Sequence, residues 1–428
     1  MIAISGCPPL PQRFLAGSAA ALAAVLFWAI LTIWVPDHWT FGFAEAGVLG
    51  LGAAWAIYFT LRPYSLSGSL VLIPLAGTVV VGLVQLVTAR TVNRWETWNA
   101  VLKWSVYLTA FFLASQICSP AFVRRAFRHA LLYFGFGISV VAVLQFFTSP
   151  GKIFWLFQSE YPEGALGPFV SRDHYAAFIE LILPIALFEA MSDRRKTLFG
   201  AAMAGAMLAS VIAGASRAGT ILVIVESATV IVLMLRRDLA SARRVSGVFA
   251  ALLVVCALAF TAVVGWAQLW QRFQDPHPYR GRRELLLSAV AMARARPWTG
   301  FGLGNFENVY PGYALFDEGE LVDHAHNDWA EWTADGGVPF LACILAIAIW
   351  SALQARQCVW GLGVIAIFLH SLVDFSMQKP ALALWAFVLI GVMSARKESK
   401  TNFQTTRGAK ACDRSGYSAW RLGERPDP

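Results

Sequence analysis

The feature that most constrains this chain is a run of apolar stretches, each about twenty residues long and separated by short polar links. A helix rises 1.5 Å per residue, so about twenty apolar residues match the hydrocarbon thickness of a bilayer. Twelve such stretches can be marked, at 14–35, 41–61, 68–89, 98–118, 127–147, 173–191, 196–213, 217–235, 246–266, 336–354, 357–373 and 380–396. The sequence therefore predicts an all-α, polytopic integral membrane protein of about twelve transmembrane helices. Of its 428 residues, 57% are hydrophobic and only 14% charged, against about 25% charged in soluble domains. The first stretch, Phe14 to Val35, is too long for the apolar core of a signal peptide and reads as a retained helix.

The net charge of +8 does not call for nucleic acid, because the basic residues alternate between loops. One set of short loops carries Arg62, Arg124, Arg125, Arg128, Arg194, Arg195, Lys196, Arg236, Arg237, Arg243, Arg244 and Arg356. The opposite set carries half as many: Arg90, Arg94, Lys152, Arg172, Arg217 and Lys379. The richer set marks the cytoplasmic side. The expected layout is a cytoplasmic N-terminus (1–13), nine helices (14–266), a large periplasmic loop (267–335), three helices (336–396) and a basic cytoplasmic tail (397–428). The six cysteines lack CxxC spacing and read as small hydrophobes.

The loop 267–335 is too long to be an idle link. Its first part is basic, with Arg272, Arg280, Arg282, Arg283, Arg294 and Arg296. The recurrence of Leu285, Leu286, Ala289, Met292 and Ala293 predicts an amphipathic helix over 282–296, able to lie on a membrane surface. Pro297 ends it, and Gly300 to Asn305 reads as a flexible turn.

Ionisable groups within apolar stretches are costly and point to function. Glu45, Lys103, Glu180 and Glu226 fall a few residues in from the outer ends of their helices; Gln85, Gln145, His370 and Asp374 fall near those ends. Glu189 alone lies near the cytoplasmic side. A transporter site is expected near the midplane; this one-sided set favours an enzyme at the outer leaflet over a flippase or other transporter, and a pure scaffold, the plainer alternative, would leave His326 and Arg217 dispensable.

Three constellations carry chemistry. Arg217, in Ser216-Arg-Ala-Gly219, starts a helix, where a cation opposes the helix dipole; a bound anion would remove the conflict, and guanidinium suits phosphate. Arg280, Arg282 and Arg283 could complete a diphosphate clamp or bind lipid headgroups. In Asp323-His-Ala-His-Asn-Asp328, His326 is the best general base. His324 and His326 with Asp323 and Asp328 could alternatively hold a metal, although no third His or Cys is near. Asp328, Glu331 and Asp335 would share one helical face, whether functional or solvated. His129 and His277 read as incidental.

Taken in order, five stretches resemble the bacterial O-antigen ligase/polymerase superfamily: Gly167-Pro-Phe-Val-Ser-Arg-Asp-His-Tyr-Ala-Ala-Phe178; Ser216-Arg-Ala-Gly219; Gly281-Arg282 with Arg296-Pro297 and Gly300 to Phe306; Ala325-His-Asn327 through Asp335-Gly-Gly337; and His370-Ser-Leu-Val-Asp374. Departures are Ser171 and Asp173 where Asn is common, Asp335 where Glu is usual, and Phe340 in place of the small residue of the ligase subgroup. The resemblance implies a cofactor-free, metal-independent, inverting glycosyltransferase of the bacterial inner membrane, with its active site facing the periplasm. Its donor would be a glycan on undecaprenyl diphosphate, its acceptor a glycan or lipid, and its surroundings membrane lipids and other polysaccharide-export proteins. By resemblance His326 is the base, Arg217 and Arg282 bind diphosphate, and Arg172, His174, His324, Asn327, Glu331, Asp335 and Asp374 support them. A polymerase of O-antigen or exopolysaccharide is expected first, and a ligase acting on lipid A core or protein second.

Overall fold

The computed structural model describes residues 10–36, 39–62, 66–192, 197–237, 267–274, 280–315, Gly319 and 321–395, with isolated positions between 249 and 261. The described residues are mostly helical. Five helices open the chain: α1 (Gln12–Leu31), α2 (Trp39–Leu61), α3 (Leu72–Val87), α4 (Arg94–Ile117) and α5 (Ala121–Thr148). A small hairpin of β1 (Lys152–Ile153) and β2 (Phe157–Gln158) follows, paired antiparallel. Then come α6 (Arg172–Ser192), α7 (Thr197–Ala213) and α8 (Arg217–Arg237). The large loop holds α9 (Ala267–Phe273), α10 (Arg280–Ala295) and α11 (Phe306–Val309). The last helices are α12 (Asp328–Ala355), α13 (Leu362–His370) and α14 (Pro380–Ala395).

Among the described residues, seven helices are long and apolar enough to cross a membrane, and four shorter apolar helices accompany them. These are eleven of the twelve segments read from the sequence. The remaining one, 246–266, lies largely outside the described residues, as does the tail 397–428. The architecture is that of a polytopic membrane protein.

In lipid, helices associate by close packing and hydrogen bonds rather than by the hydrophobic effect. The centre of this bundle shows both. All of α14 but Pro380 and Ser394 is buried, and Gly391 lets it rest on α4: a Cβ there would lie 2.5 Å from the Phe111 carbonyl oxygen. α6 is likewise enclosed, with Gly219 of α8 set against Ala176. Buried indoles find acceptors, as polar groups in hydrocarbon must: Trp385 donates to the Leu26 carbonyl (3.0 Å) and Trp55 to Ser18 Oγ (3.0 Å).

Three expectations change. The helix placed at 336–354 begins eight residues earlier, at Asp328, because the Asn327 side chain caps it by accepting from Ala330 N (2.9 Å). It is broken at Gly337, whose φ of 68° and ψ of −174° are not helical. Secondly, the apolar face of α10 is not free for a lipid surface. Ala289 and Met292 are buried with Phe301, Phe306, Ala325 and Ala334 in a small core of the large loop.

Thirdly, the glycine turn after Pro297 is clamped, not loose. Gly300, Gly302 and Gly304 take positive φ, which glycine allows without steric cost. The Gln85 amide of α3 holds them. Its nitrogen donates to the carbonyls of Thr299 (2.7 Å) and Asp335 (2.8 Å), and its oxygen accepts from Leu303 N (3.0 Å). Asn305 ties the same turn to Thr97 and to Asn93 N. Gln145 of α5 braces the hairpin loop in the same way, through Lys152 O and Phe154 N. Two of the polar residues near helix ends are thus structural. At the far end of α6, Glu189 pairs with Arg128 and His129.

Candidate active site

The site forms at the ends of α6, α8 and α13, where the large loop folds over them. Ser171 starts α6, its hydroxyl accepting from Asp173 N (3.3 Å). Ser216 starts α8, its hydroxyl accepting from Gly219 N (3.1 Å) and donating to Asp173 Oδ1 (2.6 Å). Asp173 thereby locks the two helix starts together. Its other oxygen takes a bond from Arg282 Nη2 of α10 (2.7 Å). The Arg282 guanidinium also donates to the Val373 carbonyl and lies 3.8 Å from Asp374 Oδ1.

His326 enters from the other side. Its φ of +49° is uncommon for a residue with a side chain and marks a held conformation. Glu331 does the holding: its carboxylate accepts from Ala325 N (2.8 Å) and lies 2.9 Å from His324 Nδ1. Asn327 adds a bond from its amide to the Leu372 carbonyl (2.7 Å). His326 Nδ1 then sits 3.1 Å from Asp374 Oδ1. With Asp374 ionised, that nitrogen is the donor, which leaves Nε2 as the free acceptor. The His326 side chain is 32% exposed, whereas Asp374 is 2%.

Phe375 is the hub. His326 and His174 meet its ring edge-on with centroids 4.6 and 4.7 Å away, and His324 stacks on it at 4.6 Å. His174 Nε2 is 3.6 Å from Asp374 Oδ2. Lys379 Nζ lies 4.9 Å from the Phe375 centroid. Burial pushes the Lys379 pKa down, and Asp323, Asp374 and Glu331 only partly offset it. Burial would raise the Asp374 pKa. The hydrogen bond from His326 and the charges on His174, Arg282 and His370 outweigh it and hold the carboxyl below the usual range.

Basic groups gather on the α8 side. Arg217 Nη1 donates to the Arg272 carbonyl (2.9 Å), and Arg172 lies within electrostatic reach of both Arg272 and Arg217, with Glu163 nearby. Guanidiniums held together favour an anion between them.

The structure thus brings together Arg172, Arg217, Arg282, His174, His324, His326, Asn327, Glu331 and Asp374. It does not bring in Arg283, which is exposed. The side chain of Arg280, and His277, lie outside the described residues. Asp335 belongs to the glycine turn, accepting from Gly304 N (2.9 Å). Asp328, Glu331 and Asp335 are 0%, 3% and 4% exposed, so their shared face is internal and not solvated. His324 and His326 turn to different carboxylates, and Asp328 accepts from Met377 N (2.9 Å); these residues do not converge as the metal reading required. The sequence reading missed Asp173, Ser216, Arg272 and Phe375 as site members. The pairing of Asp173 with an adjacent Arg at a helix start was the available signal.

No curated protein matches the chain. A family model does, over residues 202–345, from α7 to the first half of α12, a span that holds Arg217, Arg282 and His326 but not Asp173 or Asp374. That model is described as O-antigen ligase, and the match supports the likeness to the O-antigen ligase/polymerase superfamily, in a chain with the architecture of a multi-pass membrane protein.

Proposed function

We propose that the protein transfers a glycan from a polyprenyl diphosphate donor to an acceptor hydroxyl, at the periplasmic face of the inner membrane. The observation that carries this reading is the His326–Asp374 dyad, 3.1 Å apart, set beside the cluster of Arg172, Arg217 and Arg272. The acceptor oxygen attacks the anomeric carbon and its proton passes to His326 Nε2. The bond from that carbon to the diphosphate oxygen breaks, with inversion, and the leaving diphosphate carries the electron pair. The arginines stabilise the charge that grows on it. Arg282 bridges Asp173 and Asp374 and sets the spacing between the anion side and the base. None of these steps needs a metal.

We read the acceptor as a second lipid-linked oligosaccharide, which makes the enzyme a polymerase of O-antigen or exopolysaccharide. Supporting this, bulky Phe340 fills the space beside Gly336 and packs edge-on against Trp104 (5.2 Å), where the ligase subgroup has a small residue. The family description favours the second reading, a ligase acting on lipid A core or protein. The test is purified protein in detergent with EDTA and polyprenyl-diphosphate-linked oligosaccharide as sole substrate. A product ladder supports polymerase. Product only on adding lipid A core or a protein acceptor supports ligase. No product with any acceptor refutes both.

A further inference from the structure

Beneath the dyad lies a second acid–imidazole pair that the chemistry above does not use. His370 Nδ1 is 2.8 Å from Glu180 Oε1, and both side chains are 0% exposed. Two helix faces build the pair. Asp173 and Glu180 are seven residues apart on α6 and so lie on one face. His370 and Asp374 are four apart, joined by a helical turn in which Asp374 N donates to the His370 carbonyl (3.1 Å). The result is a ladder of two rungs: Asp173–Arg282–Asp374 outside, Glu180–His370 inside. Gly363, seven residues before His370, makes the inner rung possible. A Cβ there would lie 2.3 Å from the Glu180 carbonyl oxygen.

Packing does not account for such a pair, because two apolar side chains would fill the same space without desolvating charge. Hydrogen bonding is also incomplete. Among the described residues, His370 Nε2 and Glu180 Oε2 have no hydrogen-bond partner although buried. The groups around the pair show what it can do. His370 faces Glu180, Asp173 and His174 of α6 and Asp374 of its own turn, and Glu226 of α8 lies beside Glu180. Asp374 faces His326, His174, Arg282, His370, Asp173, Asp328 and Lys379. Asp173 meets Arg282 and Arg172, and Asp374 meets Arg282 and Lys379; on the inner rung Glu180 is faced by the His370 imidazole, a group that can carry positive charge near neutral pH.

We propose that Glu180 and His370 are positioning residues for the transfer reaction: Glu180 holds a protonated His370 behind Asp374, and that charge keeps Asp374 as the carboxylate that orients His326. The inference rests on the dyad's proposed role.

The test compares wild type, His370→Gln and Glu180→Gln as full chains in detergent. It reads the pH profile of kcat with the lipid-linked donor, the KM for that donor, and the thermal unfolding temperature against pH. Gln at 370 can still bond Glu180 but carries no charge, so the dyad holds its proton more tightly. The acid limb of kcat then moves to higher pH by about one unit, with donor KM unchanged. The loss of unfolding temperature on acidification also begins at higher pH. Glu180→Gln moves both in the same direction. Activity scaled down equally at every pH, together with an unmoved unfolding profile, overturns the inference. If one variant does not fold, the other decides; failure of both to fold marks the pair as structural and also overturns it. Inactive wild type refutes glycosyl transfer instead, and the unfolding profiles still report whether the pair is coupled to Asp374.

Discussion

His326 Nδ1 and Asp374 Oδ1 lie 3.1 Å apart although 48 residues separate them in the chain. The contact joins the large loop to the link between α13 and α14, so it forms only when the loop is folded onto the bundle. If His326 is the base, His326→Ala lowers kcat by about 10²–10⁴-fold, and Asp374→Asn lowers it through loss of the imidazole's orientation. Steady-state rates with saturating donor check both.

The arginine cluster should act on the donor. Replacing Arg172, Arg217 or Arg272 singly by Ala removes charge-assisted hydrogen bonds of about 1.5–3 kcal/mol each, which weakens donor binding roughly 10- to 100-fold. Arg283→Ala, at an exposed position, should leave affinity unchanged within about 0.5 kcal/mol. Direct binding of polyprenyl diphosphate distinguishes the two classes.

Acid should destabilise the fold through Asp374. Its folded pKa lies below its unfolded value, the case of a carboxylate held by His326, His174 and Arg282. The unfolded chain therefore takes up the proton first as pH falls. The stability from this group is full above the unfolded value of about 3.9 and is lost as pH falls through the folded one. Unfolding temperature against pH should show this acid slope in wild type, and Asp374→Asn should flatten it.

The clamped turn is a stability element. Gln85→Leu leaves two carbonyls and one N–H without their buried partner, a loss on the order of 3 kcal/mol. Gly300→Ala should cost a similar amount or more. Its φ is +62°, and a Cβ would lie 2.1 Å from the Asp335 carbonyl oxygen. Thermal unfolding in detergent reads both, and the double variant should lose little more than either single one, since both open the same turn.

Much of this was legible in the sequence, for physical reasons. Apolar runs of about twenty residues read directly as helices, and His326 and Arg217 stood out because their chemistry suits few structural roles. What was not legible depended on pairing across the fold. Asp173 looked like a mere departure from a family pattern until Arg282 and Ser216 were seen to meet it. The face of Asp328, Glu331 and Asp335 could be read as functional or as solvated, because helical spacing gives periodicity but not which side is covered. Gln85 looked like an intramembrane site residue, yet its partners are backbone groups more than two hundred residues away. Asn327 was grouped with His326 by motif, and its capping of α12 moved the helix start to Asp328.

The most direct test of the account measures wild type and His326→Ala side by side in EDTA, for donor binding and for release of polyprenyl diphosphate as product forms. The variant should bind donor as wild type does, while release falls by at least about a hundredfold. Release from the variant at the wild-type rate would contradict His326 as the base and with it the mechanism proposed for this site.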